Sequence, residues 1–550
     1  MCKIKTNLFY ALCLLLGISA FTACSDDNAE PSVNPSGEIS GVTDQELADI
    51  QVVDSGRTSW HDHYSAMLKE AQQGNGEEDS LAAAFATRQL EVNDSLTDVY
   101  LESLGANGEL PDTDGDWGKN DILGYKYVVL RYKTIDKDGK PIECSELVVG
   151  PYNKLATDSI PNPDNIVIGC HVTITSDNRC PSQTKTLNTD VGMLIGHARY
   201  SFQMGVNENL VIIPDYQGYG LTHKDPHPYL SQDLTARQVL DGVIAGKKWF
   251  EKNGAPLEKN FQTIALGYSQ GGSVAMAVHR YIEKNNLSNM LNFAGSICGD
   301  GPYDPVATLK EYISNDRIYM PVAVALIIKG MCDANHLVAG KYSPSDYLTD
   351  SFLKSGILDW LVSKDYTTKE IQEKFLAYSM NNDNGFVMMR KSATDNKYLP
   401  YLSSNMQTAD GKKRNWVKAS TDAACYCTVD QVLRPEVIEY FKNGSVETPY
   451  MAKMTAIHDA LEMNNLTQKG WMPQHPLFVF HSEHDEVVPI VNYKNISCPP
   501  DYFTGIIYTS ESGTHEATGT TFYFLKESSY FKSILSNTWK RDYPNSEYRI

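Results

Sequence analysis

The sequence is poor in basic residues, with 48 Lys and Arg against 68 Asp and Glu in 550 positions, a formal net charge of -20. A surface of this sign repels phosphate backbones, so the charge balance excludes nucleic acid as a partner. Beyond residue 23 the chain lacks any run of about 18 apolar residues, which a membrane-spanning helix needs. Low-complexity tracts and propeller repeats are also missing. At this length we expect one large globular domain with an insertion and an N-terminal extension.

Cysteine is scarce in the patterns that bind metal. Cys425 and Cys427 form a C-x-C pair, but no second cysteine pair occurs at metal spacing. Eight of the eleven cysteines follow Cys24, an even number that is compatible with disulfides but fixes no pairing. The sequence therefore predicts no metal site.

The first residues have the pattern of an export signal. Two lysines precede an apolar run of about ten residues, Phe9 to Ile18, which is too short to span a bilayer. Cys24 follows small residues and resembles the lipidated cysteine of bacterial lipoproteins, whereas the alternative is a plain cleaved signal with an incidental cysteine. We expect residues 1–23 to be a signal peptide and residues 24–45 a flexible tether. The protein would then be exported and lipid-anchored to a bacterial outer membrane, facing the periplasm or the cell surface.

Four further segments follow from the hydrophobic periodicity. Residues 46–115 are polar with a helical pattern, so we expect a helical N-terminal extension. In residues 116–302 a β-hairpin precedes short buried strands that alternate with helices, which is typical of a parallel sheet covered on both faces. Residues 303–470 lose this rhythm and are mostly helical, and strands return in residues 471–550. The sequence predicts an α/β fold with a mostly parallel central sheet and a large helical cap insertion.

A G-x-S-x-G motif lies between a predicted strand and a predicted helix. Gly267 to Gly271 directly follow the apolar run Thr263–Leu266 and directly precede an amphipathic helix. A tight strand-to-helix turn strains the backbone at the serine, so small residues are needed two positions before and after it. The N–H groups of the helix would face the negative charge that develops during attack. This context predicts Ser269 as a nucleophile and the Gln270 amide as an oxyanion donor, whereas the alternative is a structural turn.

A serine nucleophile needs a base, and the base needs an orienting acid. Asp485 follows the strand pattern Pro476–Phe480, and Glu483 and Glu486 in the same loop are less well placed. His515 follows the next strand pattern, where no other histidine is available. In proteins whose nucleophilic serine lies in a G-x-S-x-G turn between a strand and a helix, the acid and then the histidine follow the serine along the chain. We therefore predict Asp485 as the acid and His515 as the base.

The second oxyanion donor is expected in the loop after the predicted strand Asn165–Gly169. Val172 and Thr173 are both candidates for this donor. We interpret His171, in the same loop, as a structural residue that bonds nearby backbone. Asp215 lies in a glycine-rich turn after the next strand, and we expect it to hydrogen-bond its loop rather than to take part in chemistry.

The other conspicuous histidines are interpreted as non-catalytic. His61 and His63 are expected on the solvent-exposed face of a helix. His227 is expected to line the active site. A further group surrounds the acid loop and consists of His475, His481 and His484. We expect these to be polar residues rather than metal ligands, because positions i and i+3 on a strand point to opposite faces.

Together these motifs resemble the α/β-hydrolase superfamily and, more narrowly, the secretory lipases typified by the fungal lipase A group. The resemblance is carried by Asp215 to Gly218, Gly267 to Gly272, the long helical insertion, Asp485 and His515. It implies hydrolysis of carboxylic esters, often acylglycerols, under a helical cap and through an acyl-enzyme. It also implies that neither a metal nor an organic cofactor is needed.

Two other classes of function stay open. A serine peptidase of the same fold would have to deliver a proton to a leaving nitrogen. A non-catalytic surface binding protein on a hydrolase scaffold would have no need to keep all three residues. Among ester hydrolases, an esterase that acts on acyl groups of glycans is the alternative to a lipase. The expected partner is a small ester or lipid substrate, and the sequence does not predict the oligomeric state.

Overall fold

The computed structural model describes residues 49–550 except for 74–76, 104–117, 154, 156–161, 184–188, 203–204, 254–255, 406–410, 412, 419–421, 468–469 and 524–526. The predicted signal peptide, the tether and Cys24 lie outside the described residues. Across the described ranges no helix is both long and apolar enough to cross a membrane.

One sheet of eleven strands forms the core. Its strands are β1 (Gln51–Ser59), β2 (Leu123–Ile135), β3 (Pro141–Asn153), β4 (Asn165–Cys170), β5 (Arg199–Phe202), β6 (Gly205–Pro214), β7 (Thr263–Tyr268), β8 (Phe293–Gly299), β12 (Leu477–Ser482), β13 (Phe503–Tyr508) and β14 (Glu547–Arg549). Their order is β1-β2-β3-β6-β4-β7-β8-β12-β13-β14, with β5 paired to β6. Along this order the pairs from β1 to β6 are antiparallel and the pairs from β6 to β14 are parallel.

The centre of the sheet is covered on both faces. All six residues of β4, β7 and β12 are buried, in agreement with their continuous apolar runs. The helices outside the insertion are Trp60–Ala71, Glu77–Ser103, Thr189–Gly196, Gln232–Asn253, Gln270–Lys284, Ser288–Leu291, Val491–Lys494, His515–Thr521, Glu527–Leu535 and Trp539–Asp542. The predicted α/β fold class with a mostly parallel central sheet is confirmed.

The segment between β8 and β12, which we call the cap (residues 303–470), has its own apolar core. Its helices are Pro305–Asn315, Pro321–Ala334, Asp350–Leu353, Ile357–Ser363, Thr368–Ser379, Val429–Val432, Pro435–Asn443 and Thr448–Met463. It also contains a small sheet of β9 (Met389–Lys391), β10 (Tyr398–Pro400) and β11 (Cys425–Tyr426), which the helical prediction did not include. Phe352, Phe375 and Phe386 are fully buried at the centre of this core.

The cap lies against loops at the carboxyl end of the sheet. The hydroxyl of Thr175, beyond the end of β4, donates to the carbonyl of Tyr366 at 2.7 Å. Nζ of Lys364 donates to the carbonyls of His223 and Asp225, beyond the end of β6, each at 2.6 Å. The insertion therefore covers the end of the sheet where ligands bind in open α/β folds.

The prediction that residues 46–115 are helical is wrong for their first part. Gln51–Ser59 forms β1, which pairs antiparallel with β2 at the edge of the sheet, and helices begin only at Trp60. Most side chains of β1 are exposed, so no apolar alternation marks it as a strand. Its conformation depends on backbone hydrogen bonds to β2, which periodicity in one segment does not reveal.

The prediction of a solvated face for His63 is also wrong. Its side chain is fully buried, with Nδ1 at 3.2 Å from the Tyr125 hydroxyl and Nε2 at 3.1 Å from the carbonyl of Gly192. Burial lowers the pKa of His63 to about 4, so the ring is neutral. The helix Trp60–Ala71 packs this face onto the sheet, where both ring nitrogens find partners.

Glu146 on β3 is a carboxyl group buried without a counterion. Its side chain is fully buried, and neither carboxylate oxygen has a hydrogen-bond partner among the described residues. It lies over Gly242 and Gly246, where added Cβ atoms would come within 2.5 and 2.9 Å of its oxygens. Burial and, secondarily, the charge of Asp215 raise the pKa of Glu146 well above its ordinary value.

We expect Glu146→Gln to stabilise the protein at alkaline pH. The folded wild type keeps a proton that the unfolded chain releases above about pH 4.3, so its stability falls as pH rises towards the pKa of Glu146 in the folded state. The variant should lack this fall and exceed wild type by on the order of 2 kcal/mol in free energy of unfolding at about pH 8. Urea titrations at several pH values measure it. Glu143→Gln, half-exposed on the same strand, is the control, and an unchanged pH dependence in Glu146→Gln would contradict the prediction.

Candidate active site

Ser269 occupies a strained turn between β7 and the helix Gln270–Lys284. Its backbone has φ 57° and ψ -124°, a region that residues with a side chain rarely adopt. The turn packs against the end of β4, so that a Cβ at Gly267 or Gly271 would collide with the carbonyl oxygen of Cys170. Close packing thus explains the glycines around the serine and holds the Ser269 side chain at the carboxyl end of the sheet.

The predicted base and acid lie in one hydrogen-bonded row with the serine. Nε2 of His515 is 2.9 Å from Oγ of Ser269, across 246 residues of sequence. Nδ1 of the same ring is 2.6 Å from Oδ2 of Asp485. His515 is the first residue of the helix His515–Thr521, which follows β13, and it is buried. The structure thus brings the three predicted residues together.

The acid loop after β12 singles out one of its three acids. Oδ1 of Asp485 accepts the backbone N–H groups of Val487 and Val488 at 2.8 and 2.6 Å, which fixes the carboxylate. Glu483 is partly exposed and pairs with Arg549 at 3.1 Å instead. Asp485 therefore has the position in which an acid can orient the imidazole.

Burial and neighbouring acids determine the charge state of His515. Burial alone lowers the pKa of the imidazole, but the charge and hydrogen bond of Asp485 outweigh it, with a further contribution from the charge of Glu486. The net result is a pKa above the ordinary 6.5. Oε2 of Glu486 also accepts the backbone N–H of His515 at 3.1 Å, so this acid lies close to the ring.

The raised pKa of His515 predicts the pH dependence of any ester hydrolysis that uses this imidazole as its base. Only the neutral imidazole accepts a proton, so we expect kcat/KM to rise with pH through a pKa above 6.5. Glu486→Gln removes one stabilising charge and should move this rise to lower pH. Glu511→Gln changes an exposed acid four residues before His515 and should leave it in place. The measurement is kcat/KM for a soluble ester between about pH 5 and 10, and an unmoved rise in Glu486→Gln would contradict the assignment.

The predicted oxyanion region adjoins the turn at Ser269. The helix after the serine begins at Gln270, and the loop after β4 contains Val172 and Thr173. In this loop Nδ1 of His171 is 2.8 Å from the carbonyl of Val172, and its Nε2 is 3.2 Å from the carbonyl of Asp215. These contacts match the structural role predicted for His171. The choice between Val172 and Thr173 stays a prediction.

The side chain of Gln270 makes a contact that the sequence did not predict. Its Nε2 is 3.0 Å from Nε2 of His227, whose Nδ1 is 2.7 Å from the carbonyl of Gln217. A carbonyl only accepts, so Nδ1 carries the hydrogen and Nε2 of His227 accepts from Gln270. Burial lowers the pKa of His227 to about 3, which agrees with a neutral ring. The residue after the nucleophile is therefore anchored to the loop after β6.

A second residue that sequence reasoning missed is Asp300. It directly follows β8 and is fully buried beside the acid loop. The side-chain nitrogen or oxygen atoms of Asp300, His481 and Asp485 all lie within 4.8 Å of one another. An acid immediately after a buried strand is the signal that could have found it.

A cluster of His279, Glu283 and His475 has the residue types of a metal site. Oε1 of Glu283 already accepts hydrogen bonds from Nε2 of His279 at 2.9 Å and from Nδ1 of His475 at 2.8 Å. Its Oε2 accepts the indole N–H of Trp471 at 2.8 Å. The carboxylate thus serves as a hydrogen-bonded link between the helix Gln270–Lys284 and the segment before β12, which accounts for the cluster without an ion.

Comparison with known proteins agrees with this architecture. Residues 384–501, which include Asp485 and part of the cap, match the family model of the secretory lipases. A candidate hydrolase from Legionella pneumophila is 15% identical over 80% of this chain and 95% of its own, with a TM-score of 0.51. The rice cell wall degrading esterase LipA from Xanthomonas oryzae is 17% identical over 82% of this chain and 95% of its own, with a TM-score of 0.50. None of the curated proteins matches the chain in sequence.

Candida antarctica lipase A in its closed state is also similar, at 14% identity over 76% of this chain and 78% of its own, with a TM-score of 0.45. The two structures with TM-scores of 0.51 and 0.50 support the fold alone, and the match over residues 384–501 supports the likeness to secretory lipases. The chain has the α/β-hydrolase fold and resembles the secretory lipases.

Proposed function

We propose that the protein is a serine hydrolase that cleaves carboxylic esters, with Ser269 as nucleophile, His515 as base and Asp485 as acid. The observation that carries this proposal is the hydrogen-bonded row of the three side chains, with 2.9 Å between Ser269 and His515 and 2.6 Å between His515 and Asp485. The strained backbone at Ser269 is a second support, because it presents the hydroxyl ahead of a helix N-terminus.

The reaction would proceed through an acyl-enzyme. Nε2 of His515 takes the proton of Ser269 as Oγ attacks the ester carbonyl, and Asp485 stabilises the resulting imidazolium. The oxyanion accepts the Gln270 N–H and a second donor from Val172 or Thr173. His515 then protonates the leaving alcohol, and in the second half it activates the water that releases the acid.

A cavity of about 90 Å³ lies between the cap and the loop after β6. Its charged lining residues are Lys224, Asp225, Lys329, Asp333 and Lys364. It is also lined by His227, whose ring bonds the side chain of Gln270, the residue after the proposed nucleophile. Leu326, Leu361 and Val362 also line it, so the wall mixes apolar and charged side chains. A long hydrocarbon chain in this cavity would lie against those charges, which supports short or polar esters as substrates. We therefore favour an esterase of this kind over a lipase for long acyl chains.

A series of p-nitrophenyl esters of rising acyl length tests the substrate class. We expect kcat/KM for the acetate or butyrate to exceed that for the palmitate by at least about 10-fold. Preference for the palmitate would contradict the short-ester assignment and favour a lipase. Faster cleavage of aminoacyl amides than of esters would favour the peptidase, and failure of a fluorophosphonate to label the protein would favour a binding protein.

We further propose that the protein is exported and held at a membrane by a lipid on Cys24. This rests on the signal-like residues 1–23 and on the cysteine that follows them. Incorporation of labelled palmitate into wild type but not into Cys24→Ser is the expected result, with release of the variant from the membrane fraction.

A further inference from the structure

Asp300 is held in an unusual backbone conformation at the end of β8. Its φ of 36° lies in the left-handed region, and its N–H donates to the carbonyl of Phe480 at 2.9 Å. Oδ1 accepts the backbone N–H of Ser482 at 2.7 Å. Oδ2 is buried and has no hydrogen-bond partner in the part of the chain that the structure describes. Neighbouring strand β12 thus fixes a carboxyl group that water does not reach.

His481 on β12 faces this carboxyl group with a lone pair. Its Nε2 is 2.9 Å from the carbonyl of Val488, so Nε2 must carry a hydrogen. In the neutral ring Nδ1 then has a lone pair, and Nδ1 is 3.5 Å from Oδ1 of Asp300. Two acceptors facing each other in a buried site repel, so one proton is needed between them.

The surroundings decide which of the two groups holds that proton. Burial lowers the pKa of His481 to about 4, although the negative charge of Asp485 acts to raise it. Burial and then the charge of Asp485 raise the pKa of Asp300 well above its ordinary value. The other titratable groups that face Asp300 are Tyr268, Tyr303 and His515. Hydrogen bonds from the N–H of Ser482 and from Tyr268, and the charge of protonated His515, favour the ionised form. Burial and the charge of Asp485 outweigh them, so a proton on Asp300 is the better solution.

His481 acts on the same turn that holds the acid of the proposed triad. Its N–H binds the carbonyl of Val488, while the N–H groups of Val487 and Val488 hold Oδ1 of Asp485. A displaced His481 ring would therefore shift this turn and, with it, the carboxylate that orients His515. A change at Asp300 would therefore affect Asp485 through the His481 ring and the backbone of Val488.

We propose, on the basis of the proposed function, that Asp300 is a neutral carboxylic acid that donates its proton towards His481 and holds the Asp485 loop in place. Asp300 is then a positioning residue, and Asp485 is the anion that binds the imidazole of His515. Two ionised carboxylates within 4.8 Å in a buried site would oppose each other, and the proton removes this repulsion.

Infrared spectroscopy of the folded protein tests the protonation directly. Both wild type and Asp300→Asn keep the buried acid Glu146, so the test is the difference between their spectra. We expect the wild type to show, near neutral pH, an additional carbonyl band of a buried carboxylic acid that is absent from Asp300→Asn. Asp304→Asn is the matched control, because Asp304 is also buried but caps the helix Pro305–Asn315 by accepting the N–H of Ala307. Its spectrum should keep the band. This measurement does not depend on activity, so it decides the proposal even if the enzyme assignment fails.

Kinetics tests the positioning role. Asn at position 300 supplies an N–H donor in place of the acid proton, so we expect Asp300→Asn to keep kcat within about 3-fold. Asp300→Ala lacks a donor and should lower kcat by about 10- to 100-fold with little change in KM. Asp300→Asn should also leave the rise of kcat/KM with pH where it is, since it removes no charge. A rise moved to lower pH in Asp300→Asn, or a difference spectrum between wild type and Asp300→Asn without an acid carbonyl band, would show an ionised Asp300 and overturn the proposal.

Discussion

Replacement of Ser269 with Ala is expected to lower kcat on p-nitrophenyl esters by at least about 10⁴-fold. Without Oγ no acyl-enzyme forms, and His515 loses the group at 2.9 Å from its Nε2. The remaining rate would come from the oxyanion donors and from substrate binding alone. Because the alanine methyl group fits the space of the serine side chain, we expect the free energy of unfolding to change little.

Ser273→Ala is the control for this prediction. Ser273 lies in the first turn of the same helix, is fully buried and donates to the carbonyl of Gln270 at 2.8 Å. Loss of that bond costs about 1 kcal/mol of stability, yet the variant keeps the nucleophile and should hydrolyse esters and react with a fluorophosphonate. Labelling of Ser269→Ala, or hydrolysis at more than about a hundredth of the wild-type rate, would show that another group attacks the substrate.

Asp485→Asn is expected to lower kcat by about 10⁴-fold at neutral pH. The amide cannot offset the charge of an imidazolium, and its N–H₂ group facing Nδ1 would favour the tautomer in which Nε2 carries the hydrogen. That tautomer cannot accept the proton of Ser269. The backbone N–H groups of Val487 and Val488 can still bind the amide oxygen, so the loop should keep its conformation.

Glu483→Gln is the matched control in the same loop. Glu483 pairs with Arg549 and does not bond the imidazole, so we expect less than a 3-fold change in kcat. Circular dichroism and thermal unfolding of both variants separate a loss of activity from a loss of fold. If Glu483→Gln were the variant with the large loss, the acid of the site would have been assigned to the wrong residue.

The three side chains of the proposed triad could be predicted from the sequence because each follows a strand of the same parallel sheet. Ser269, Asp485 and His515 come after β7, β12 and β13, and the carboxyl ends of parallel strands meet at one edge. The motif at the serine also has a local cause, since only glycine fits where the turn approaches Cys170. Local patterns and topology together therefore suffice to predict which side chains converge.

Other features depend on partners that are distant in the sequence. The position of Asp300 depends on Ser482, 182 residues away, and the buried ring of His63 depends on Gly192, 129 residues away. The edge strand β1 depends on its ladder with β2. These contacts produce no hydrophobic periodicity in the local sequence. The burial of Asp300 and His63 and the pairing of β1 are therefore seen only in the folded chain.

Along the chain, the cap lies between the proposed nucleophile Ser269 and the proposed acid and base, Asp485 and His515. During synthesis Ser269 emerges with β7, but no base can reach it until β13 and the residues after it have been made and have joined the sheet. A nascent or truncated chain that stops inside the cap would carry an inert hydroxyl. The proposed hydrolytic activity would thus require the strands that follow the cap, so a chain that has not yet folded would lack it.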